Sequence, residues 1–170
     1  MIFLSIGSNL NSIFGEKFEN IKKSIQLLKL ANITPLESSN YFETPSYPNK
    51  KNPKFINIIL SVAFNDSPES MIKKISIIEK KMGRLKTLKN EPRTCDIDII
   101  DFNRLRLSTK KTVLPHPRAH NRNFVLLPLA QISPNWKHPI SNKKIDILIK
   151  SLSLQSRNEI TRLNESAILE

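Results

Sequence analysis

The chain has 170 residues, of which 39% are apolar, and its 27 Lys and Arg against 15 Asp and Glu give a net charge of +12. This length is typical of one domain, no apolar run approaches the ~18 residues of a membrane-crossing helix, and a single cysteine excludes an intrachain disulfide. The composition therefore predicts a single-domain cytoplasmic protein that does not enter a membrane and that meets an anionic partner.

The first half of the chain predicts three strands and one helix. Residues 1–6 form a short apolar run that ends in Gly-Ser-Asn, a turn signal. Apolar residues spaced three and four apart predict an amphipathic helix over 15–30. Residues 33–44 and 55–64 predict two more strands, joined by a loop rich in Pro, Asn and Lys. The second of these strands is apolar enough to lie inside a sheet.

A second helix and a fourth strand follow. Ser67 is a good N-cap before Pro68, and Gly83 is a typical C-terminal stop, so a helix is predicted between them. A basic loop over 84–92 then precedes an apolar strand over 94–102. The order β-α-β-β-α-β is typical of the ferredoxin-like α+β fold, an antiparallel-rich sheet with helices packed mostly on one face.

The last third of the chain predicts smaller elements. We expect a short edge strand within 105–113 and helices over 124–132 and 145–152. The polar tail over 153–170 is expected to be loosely held. No repeat or composition change divides the chain, so residues 1–170 are expected to form one domain.

The positive charge is concentrated in one segment. Residues 79–122 carry 12 Lys and Arg against 5 Asp and Glu, which is +7 of the total of +12. The only glycines are at 7, 15 and 83, so neither a Walker loop nor a dinucleotide-binding fingerprint can be written. A bound nucleotide would need side-chain cations and metal ions to hold its phosphates.

The most informative stretch is the Asp-Ile-Asp sequence that follows Arg93. On a strand, alternate side chains share a face, which places Asp96 and Asp98 on one face and turns Cys95 and Ile99 into the core. Two carboxylates about 7 Å apart along a strand repel each other unless a cation lies beside them. Such oxygen ligands suit Mg²⁺, which usually takes one or two carboxylates plus substrate phosphates.

Three other residues are candidates for substrate contacts. His116 and Arg122 lie in a short basic segment and can both reach a polyphosphate. Asn57 stands inside an otherwise apolar strand, where its amide needs hydrogen-bond partners. We expect Asn57 to suit a heterocycle that carries amide-like groups.

Five blocks occur in a characteristic order along the chain. They are Gly7-Ser8-Asn9-Leu10, Phe55-x-Asn57, Glu79-x-x-x-Gly83-Arg84, Pro92-Arg93-Thr94-x-Asp96-x-Asp98 and Pro115-His116…Asn121-Arg122-x-Phe124. Together they resemble the 6-hydroxymethyl-7,8-dihydropterin pyrophosphokinase family over about residues 1–150, and the fourth block is the most specific. That resemblance implies a ferredoxin-like α+β enzyme of folate biosynthesis.

The resemblance also implies a reaction. The hydroxymethyl oxygen of the pterin would attack the β-phosphorus of ATP, leave a pyrophosphate ester and release AMP. Two Mg²⁺ ions held by Asp96 and Asp98 would bridge the ATP phosphates and that oxygen. Arg84 and Arg93 would complete the catalytic set, in a mobile loop that closes over the site.

The resemblance assigns further residues to the two substrates. The pterin would lie among Thr44, Pro45, Phe55, Asn57 and Phe124. ATP would contact Glu79, Lys86, Arg93, Ile99, His116 and Arg122. The chain departs from the family pattern where Lys86 replaces a usual Arg, Phe55 a common Tyr and Asn90-Glu91 a frequent Trp-Gly; these departures bear on loop closure and affinity.

Two other functions fit parts of the pattern. A basic ferredoxin-like fold could bind RNA on sheet aromatics, but aromatics are only 6% of the chain and no K/R-G-F/Y-G-F segment occurs. A different two-metal nucleotidyltransferase could use Asp96 and Asp98 and would release pyrophosphate instead of AMP. We expect small-molecule substrates, ATP and the pterin, and no nucleic acid partner; nothing in the sequence names a protein partner.

Overall fold

The structure, a computed structural model, describes residues 1–84, 91–109 and 112–166. Its main sheet has six strands: β1 Ile2–Ser8, β2 Thr34–Ser38, β3 Asn40–Thr44, β4 Phe55–Ala63, β5 Asp96–Phe102 and β8 Thr161–Ser166. Two short strands, β6 Leu107–Ser108 and β7 Val113–Leu114, pair with each other in a separate ribbon.

The helices of the described ranges are α1 Lys17–Leu30, α2 Pro68–Lys81, α3 Asn123–Ile132, α4 Ile145–Ser151 and α5 Leu154–Asn158. One turn of 3-10 helix spans Ala119–Asn121. Within these described parts of the chain, no helix combines the length and the apolar character that a bilayer crossing needs.

The main sheet is antiparallel, in the order β5-β1-β4-β3-β8, with β2 also paired to β4. Each strand–helix–strand unit, β1-α1-β2 and β4-α2-β5, returns to the sheet two positions away from its first strand and leaves a space that one antiparallel strand fills. β1 therefore lies between β4 and β5. This is the strand order of the ferredoxin-like α+β fold, so the fold predicted from the order of elements is confirmed.

Strand alternation separates the apolar side chains onto two faces of the sheet. Leu4 and Ile6 of β1 pack on the first face, in a cluster completed by α1 and α2. Phe3, Ile59 and Ile100 point to the second face, where α3 and α4 cover them. The expectation of helices mostly on one face is therefore wrong, because the second face has an apolar surface of its own that must be buried.

The ends of α2 follow the predicted signals. The Ser67 hydroxyl accepts the Ser70 N–H at 3.2 Å, and Gly83 has a φ of +82° just after the last turn. The Thr94 hydroxyl then donates to the Met82 carbonyl at 2.7 Å. Since Thr94 lies two residues before the start of β5, this bond ties the end of the helix to the strand that carries the aspartates.

Three predicted segments differ from the structure. The strand expected over 33–44 is interrupted at Ser39, whose backbone N–H and hydroxyl both bond the Ile59 backbone. The strand expected within 105–113 belongs to the β6–β7 ribbon and not to the edge of the main sheet. The tail expected to be loosely held contains α5 and β8, because the open edge of β3 offers backbone groups with which β8 can pair.

Leu129→Ala tests how firmly α3 covers the second face. Leu129 is fully buried there, whereas Leu30 on α1 is 80% exposed and provides a matched control. We expect L129A to lower the free energy of unfolding by about 2–5 kcal/mol and L30A by less than about 0.5 kcal/mol. Urea denaturation followed by circular dichroism measures both, and equal losses would contradict this packing.

Candidate active site

Three neighbouring strands present one row of side chains on the second face of the sheet. Gly7 of β1 lies opposite Asp96 of β5 on one side and opposite Asn57 of β4 on the other. Ser5 lies opposite Asp98 in the same way. Because Gly and Ser are small, the space between the two carboxylates and the amide stays open. This row is the floor of the candidate site.

The packing around Gly7 requires the absence of a side chain. A Cβ at this position would lie 2.8 Å from Asn57 Oδ1 and 3.5 Å from the ring of Phe55. The Asn57 amide is held in turn, because its Nδ2 donates to Thr44 Oγ1 at 3.0 Å. The glycine thus makes room for an amide that is fixed on the floor of the site.

Two arginines neutralise Asp96. Arg84 Nη1 lies 2.8 Å from Asp96 Oδ1, and Arg93 Nη1 lies 3.1 Å from Asp96 Oδ2. Burial, together with the charge of Asp98, raises the pKa of Asp96 above its ordinary value. In the ligand-free protein, guanidinium groups therefore supply the positive charge that the two carboxylates need beside them.

A third arginine and a histidine face Asp98. Arg122 Nη1 lies 3.3 Å from Asp98 Oδ2, and its guanidinium carbon lies 5.2 Å from the centre of the Phe124 ring. His116 Nε2 is 3.7 Å from the same carboxylate oxygen, and its Nδ1 accepts the Arg118 N–H at 3.1 Å. Because Nδ1 is an acceptor, the neutral ring carries its proton on Nε2, toward the carboxylate.

Glu79 links α2 to the strand that carries the aspartates. Its Oε1 accepts the Ile97 backbone N–H at 2.9 Å and also pairs with the Arg84 guanidinium. Burial raises the pKa of Glu79. The carboxylate fixes Arg84 relative to the start of β5, a structural role in addition to the ATP contact that the family resemblance implies.

Asp101, the last aspartate of β5, does not line the cavity. A bulge shifts the register between β1 and β5, so that Phe3 lies opposite Asp101. The Asp101 carboxylate is almost fully buried and accepts the Trp136 Nε1–H and the Arg104 backbone N–H, each at 2.8 Å. Its charge is satisfied inside the fold, and it is a structural residue.

The functional groups open into one cavity of about 1190 Å³, a size that accommodates small-molecule ligands. Of the predicted site residues that the structure describes, all except Ile99 line this cavity. They are Thr44, Pro45, Phe55, Asn57, Glu79, Arg84, Arg93, Asp96, Asp98, His116, Arg122 and Phe124. Residues from β3, β4, β5, α2 and the start of α3 are thereby brought together.

Ile99 does not line the cavity, so its contact with ATP stays a prediction. Its side chain lies in the core on the first face, because the alternation that turns Asp96 and Asp98 toward the cavity turns Ile99 away. Lys86 and Asn90 lie outside the described residues. Cys95 is a buried core residue as predicted, and burial raises the pKa of its thiol to about 12.

The donor set suits a cation that is shared with a ligand. Among residues 1–84, 91–109 and 112–166, no three His, Cys, Asp or Glu side chains come together closely enough to hold a metal by themselves. Asp96 and Asp98 offer carboxylate oxygens, and Mg²⁺ commonly takes its remaining ligands from water and phosphates. The residues therefore fit Mg²⁺ bound together with a polyphosphate, and they do not form a four-ligand zinc site.

Two buried amides, to which the sequence patterns assigned no role, support segments next to the cavity. Asn9 Nδ2 donates to the Pro53 carbonyl at 3.1 Å, while its Oδ1 accepts the Arg93 N–H at 2.7 Å. Asn9 thus joins Arg93 to residues 45–54, hereafter the rim loop. Asn20 of α1 donates to the backbone just after β1. Its position beside the apolar stripe of an amphipathic helix is the signal that could have revealed it.

One wall of the cavity comes from segments that contain no recognised motif. Tyr47 and Lys50 of the rim loop contribute to the lining, together with four residues near the C-terminal end of the described chain: Ser153, Gln155, Ser156 and Glu159. Nothing in the local sequence marks these polar residues as functional. They reach the cavity because β8 pairs with β3 and brings α5 alongside.

Comparison with known proteins gives a consistent result. A family model described as 7,8-dihydro-6-hydroxymethylpterin-pyrophosphokinase matches residues 3–134. The folic acid synthesis protein FOL1 of Dictyostelium discoideum is 39% identical over 139 residues, which is 82% of this chain and 20% of that protein. The 2-amino-4-hydroxy-6-hydroxymethyldihydropteridine pyrophosphokinase of Synechocystis sp. is 31% identical over 150 residues, covering 88% of this chain and 74% of that protein.

The chain spans about a fifth of the length of the first curated relatives that it matches. Among solved structures, the wild-type HPPK-DHPS of Plasmodium falciparum is similar with a TM-score of 0.70 at 16% identity, over 95% of this chain and 47% of that one. This likeness shows that the two share a fold.

His116 provides a test of the electrostatics. Burial, followed by the charges of Arg122 and Arg118, lowers the pKa of His116 from 6.5 to about 4. We expect an NMR titration of the ring protons to give a midpoint near pH 4, and a midpoint near 6.5 would contradict the site as described.

The same shift predicts a pH dependence of stability. The unfolded chain takes up this proton near pH 6.5 and the folded protein only near pH 4, so His116 makes the protein lose stability as the pH falls through that window. His116→Asn should flatten the dependence of the unfolding free energy on pH between 6.5 and 4, and wild-type-like dependence in the variant would contradict the assignment.

Proposed function

The chain belongs to the 7,8-dihydro-6-hydroxymethylpterin-pyrophosphokinase family, and we propose that it transfers pyrophosphate from ATP to the hydroxymethyl group of 6-hydroxymethyl-7,8-dihydropterin, releasing AMP, in folate biosynthesis. The observation that carries the proposal is the row of Asp96, Gly7 and Asn57, with a carboxylate at one end and a fixed amide at the other, on the floor of one cavity. We take residues 1–170 as one domain with this activity.

We propose that Asp96 and Asp98 hold Mg²⁺, with two ions expected. Both side chains line the cavity and offer the oxygen ligands that Mg²⁺ prefers. When bound, Mg²⁺ would neutralise charge on the phosphates and lower the pKa of a coordinated hydroxyl group.

The arginines serve two partners in this proposal. In the ligand-free protein Arg84 and Arg93 neutralise Asp96, and Arg122 neutralises Asp98. Once the carboxylates are occupied by cations, the guanidinium groups are free to bind the phosphate oxygens of ATP, which they can hold bidentately. The positive charge of the arginines is therefore balanced by the carboxylates in the absence of nucleotide and by the phosphates in its presence.

In the proposed reaction the hydroxymethyl oxygen forms a bond to the β-phosphorus of ATP. The bond between that phosphorus and the oxygen shared with the α-phosphate breaks, AMP leaves with this oxygen, and the hydroxyl proton is released to water. No dedicated general base is evident; Asp96 or Asp98 would assist this deprotonation through the cation that it holds, which lowers the pKa of the hydroxyl group. Positioning and charge neutralisation account for most of the acceleration, as is general in phosphoryl transfer. His116, neutral at pH 7, offers its Nε2–H to a phosphate oxygen.

The heterocycle fits the other end of the floor. A pterin carries amide-like donors and acceptors along one edge, which match the Asn57 amide and Thr44 Oγ1. Phe55 and Phe124 line the cavity, and aromatic rings stack well on a flat heterocycle. Pro45 lies next to Thr44 at the start of the rim loop.

The remaining assignments follow the same proposal. ATP would lie against Glu79, Arg93, His116 and Arg122, and a contact between ATP and Lys86 stays a prediction. The cytoplasmic location and the absence of a nucleic acid partner also stay predictions.

The proposal is tested by product analysis. Purified protein with Mg²⁺, ATP and the hydroxymethyl-dihydropterin should form AMP and the pterin pyrophosphate in equal amounts, measured by chromatography. Asp96→Asn keeps the shape of the side chain and removes its charge, so we expect turnover to fall by about 100-fold or more without loss of the folded spectrum. Asp146→Asn, at an exposed position of α4, is the control and should leave turnover unchanged.

Two outcomes would count against the proposal. Release of pyrophosphate in place of AMP would favour a different nucleotidyltransferase. AMP formation at wild-type rates by D96N would show that this carboxylate has no part in the reaction.

A further inference from the structure

The cavity wall near the C-terminal end of the described chain has a specific connection to the rim loop. This wall, hereafter the C-terminal wall, comprises residues 153–159, and Ser153, Gln155, Ser156 and Glu159 of it line the cavity. The family model matches only residues 3–134. The wall is therefore a part of the site that the family match does not account for.

One ion pair joins the C-terminal wall to the rim loop. Lys50 Nζ lies 2.5 Å from Glu159 Oε1, and Gln155 Nε2 donates to the same oxygen at 2.5 Å. These two hydrogen bonds, with that from Lys50 first, lower the pKa of Glu159, so the carboxylate is ionised at neutral pH. Both partners of the pair line the cavity.

The C-terminal wall is also anchored on its other sides. Asn123 Nδ2 donates to the Ser156 carbonyl at 2.6 Å, and Asn123 Oδ1 accepts the Phe124 N–H at 2.7 Å. Just beyond the wall, Thr161 of β8 pairs with Glu43 of β3. The wall is thus fixed at the start of α3 and at the end of β3, and the rim loop is the element that the ion pair can hold or release.

We propose that the Lys50–Glu159 pair is a clasp that holds the rim loop against the C-terminal wall and so sets the affinity for the heterocyclic substrate. This inference rests on the proposed function. The rim loop continues from β3, which is separated from β5 by β1 and β4, so the clasp lies on the side of the cavity away from the carboxylates. Lys50 and Glu159 are positioning residues for the heterocycle, and among the described residues neither forms an ion pair with the arginines or aspartates at the carboxylate end of the floor.

The chain offers a matched control for this pair. Lys54 Nζ lies 2.7 Å from Glu43 Oε1, and the exposed side-chain fractions of 59% and 30% are close to the 53% and 29% of Lys50 and Glu159. Lys54 belongs to the same loop, yet neither Lys54 nor Glu43 lines the cavity. If reversing a charge has different kinetic effects in the two pairs, the difference therefore comes from the position of Lys50 and Glu159 at the cavity and not from a change of surface charge in general.

The kinetic test uses charge reversal. Glu159→Lys places two ammonium groups together, and we expect it to raise KM for the hydroxymethyl-dihydropterin about 3- to 5-fold, while KM for ATP and kcat stay within about 1.5-fold. The double variant Lys50→Glu, Glu159→Lys should restore the KM for the pterin, because the pair is re-formed in the opposite sense. Glu43→Lys should leave all three constants near wild type.

A second measurement tests the clasp without any substrate. Hydrogen–deuterium exchange of the ligand-free protein should be faster in the rim loop of Glu159→Lys, normal in Glu43→Lys and restored in the double variant. Active wild-type protein together with unchanged KM and unchanged exchange in Glu159→Lys would overturn the clasp and leave the proposed function standing. A folded wild-type protein that forms no AMP would overturn the proposed function, and the exchange rates would then decide alone whether the clasp exists.

Discussion

The mutual repulsion of Asp96 and Asp98 is the constraint around which the site is arranged. The pleat of β5 forces both side chains onto one face, where they lie half-buried at the floor of the cavity. Their charges are met by Arg84 after α2, Arg93 before β5 and Arg122 before α3. Because the three cations come from different parts of the chain, the charges are balanced only when the sheet and the helices are assembled. The site and the fold therefore form together.

The second face of the sheet has two uses. Phe3, Ile59 and Ile100 make one part of it apolar, and α3 and α4 bury that part. A few residues further along the same strands, Gly7 and Asn57 belong to the open floor of the cavity. The same strands thus supply core at one end and the cavity floor at the other, which holds the polar groups of the site on rigid backbone. The first face carries a purely apolar cluster and supports both parts from behind.

The arrangement also explains why the positive charge is concentrated between residues 79 and 122. That segment contains the three arginines that face the carboxylates. It also contains His116, whose pKa is lowered by burial and by the charges of Arg122 and Arg118, so that the ring is neutral. The carboxylates compensate these cations in the ligand-free protein, and the cations become available when the carboxylates find another partner. A polyphosphate with its metal ions is a partner that satisfies both sets of charges at once.

Much of the fold and of the site follows from local patterns in the sequence. Apolar spacing gave the limits of α1, and the Ser67 and Gly83 signals gave those of α2, because capping and amphipathicity depend on residues a few positions apart. The alternation of β5 likewise predicted that Asp96 and Asp98 share a face and that Cys95 is buried. The order of these elements was then enough to predict the ferredoxin-like sheet.

Only the tertiary structure decided how distant segments meet. It brought α3 and α4 onto the second face, attached β8 to β3, and made Asn9 the link between Arg93 and the rim loop. It also placed Glu159 beside Lys50 at the cavity, although 109 positions separate them along the chain. Local periodicity cannot specify such contacts, because they depend on which open strand edges, unpaired amides and exposed apolar faces remain after the first elements have packed.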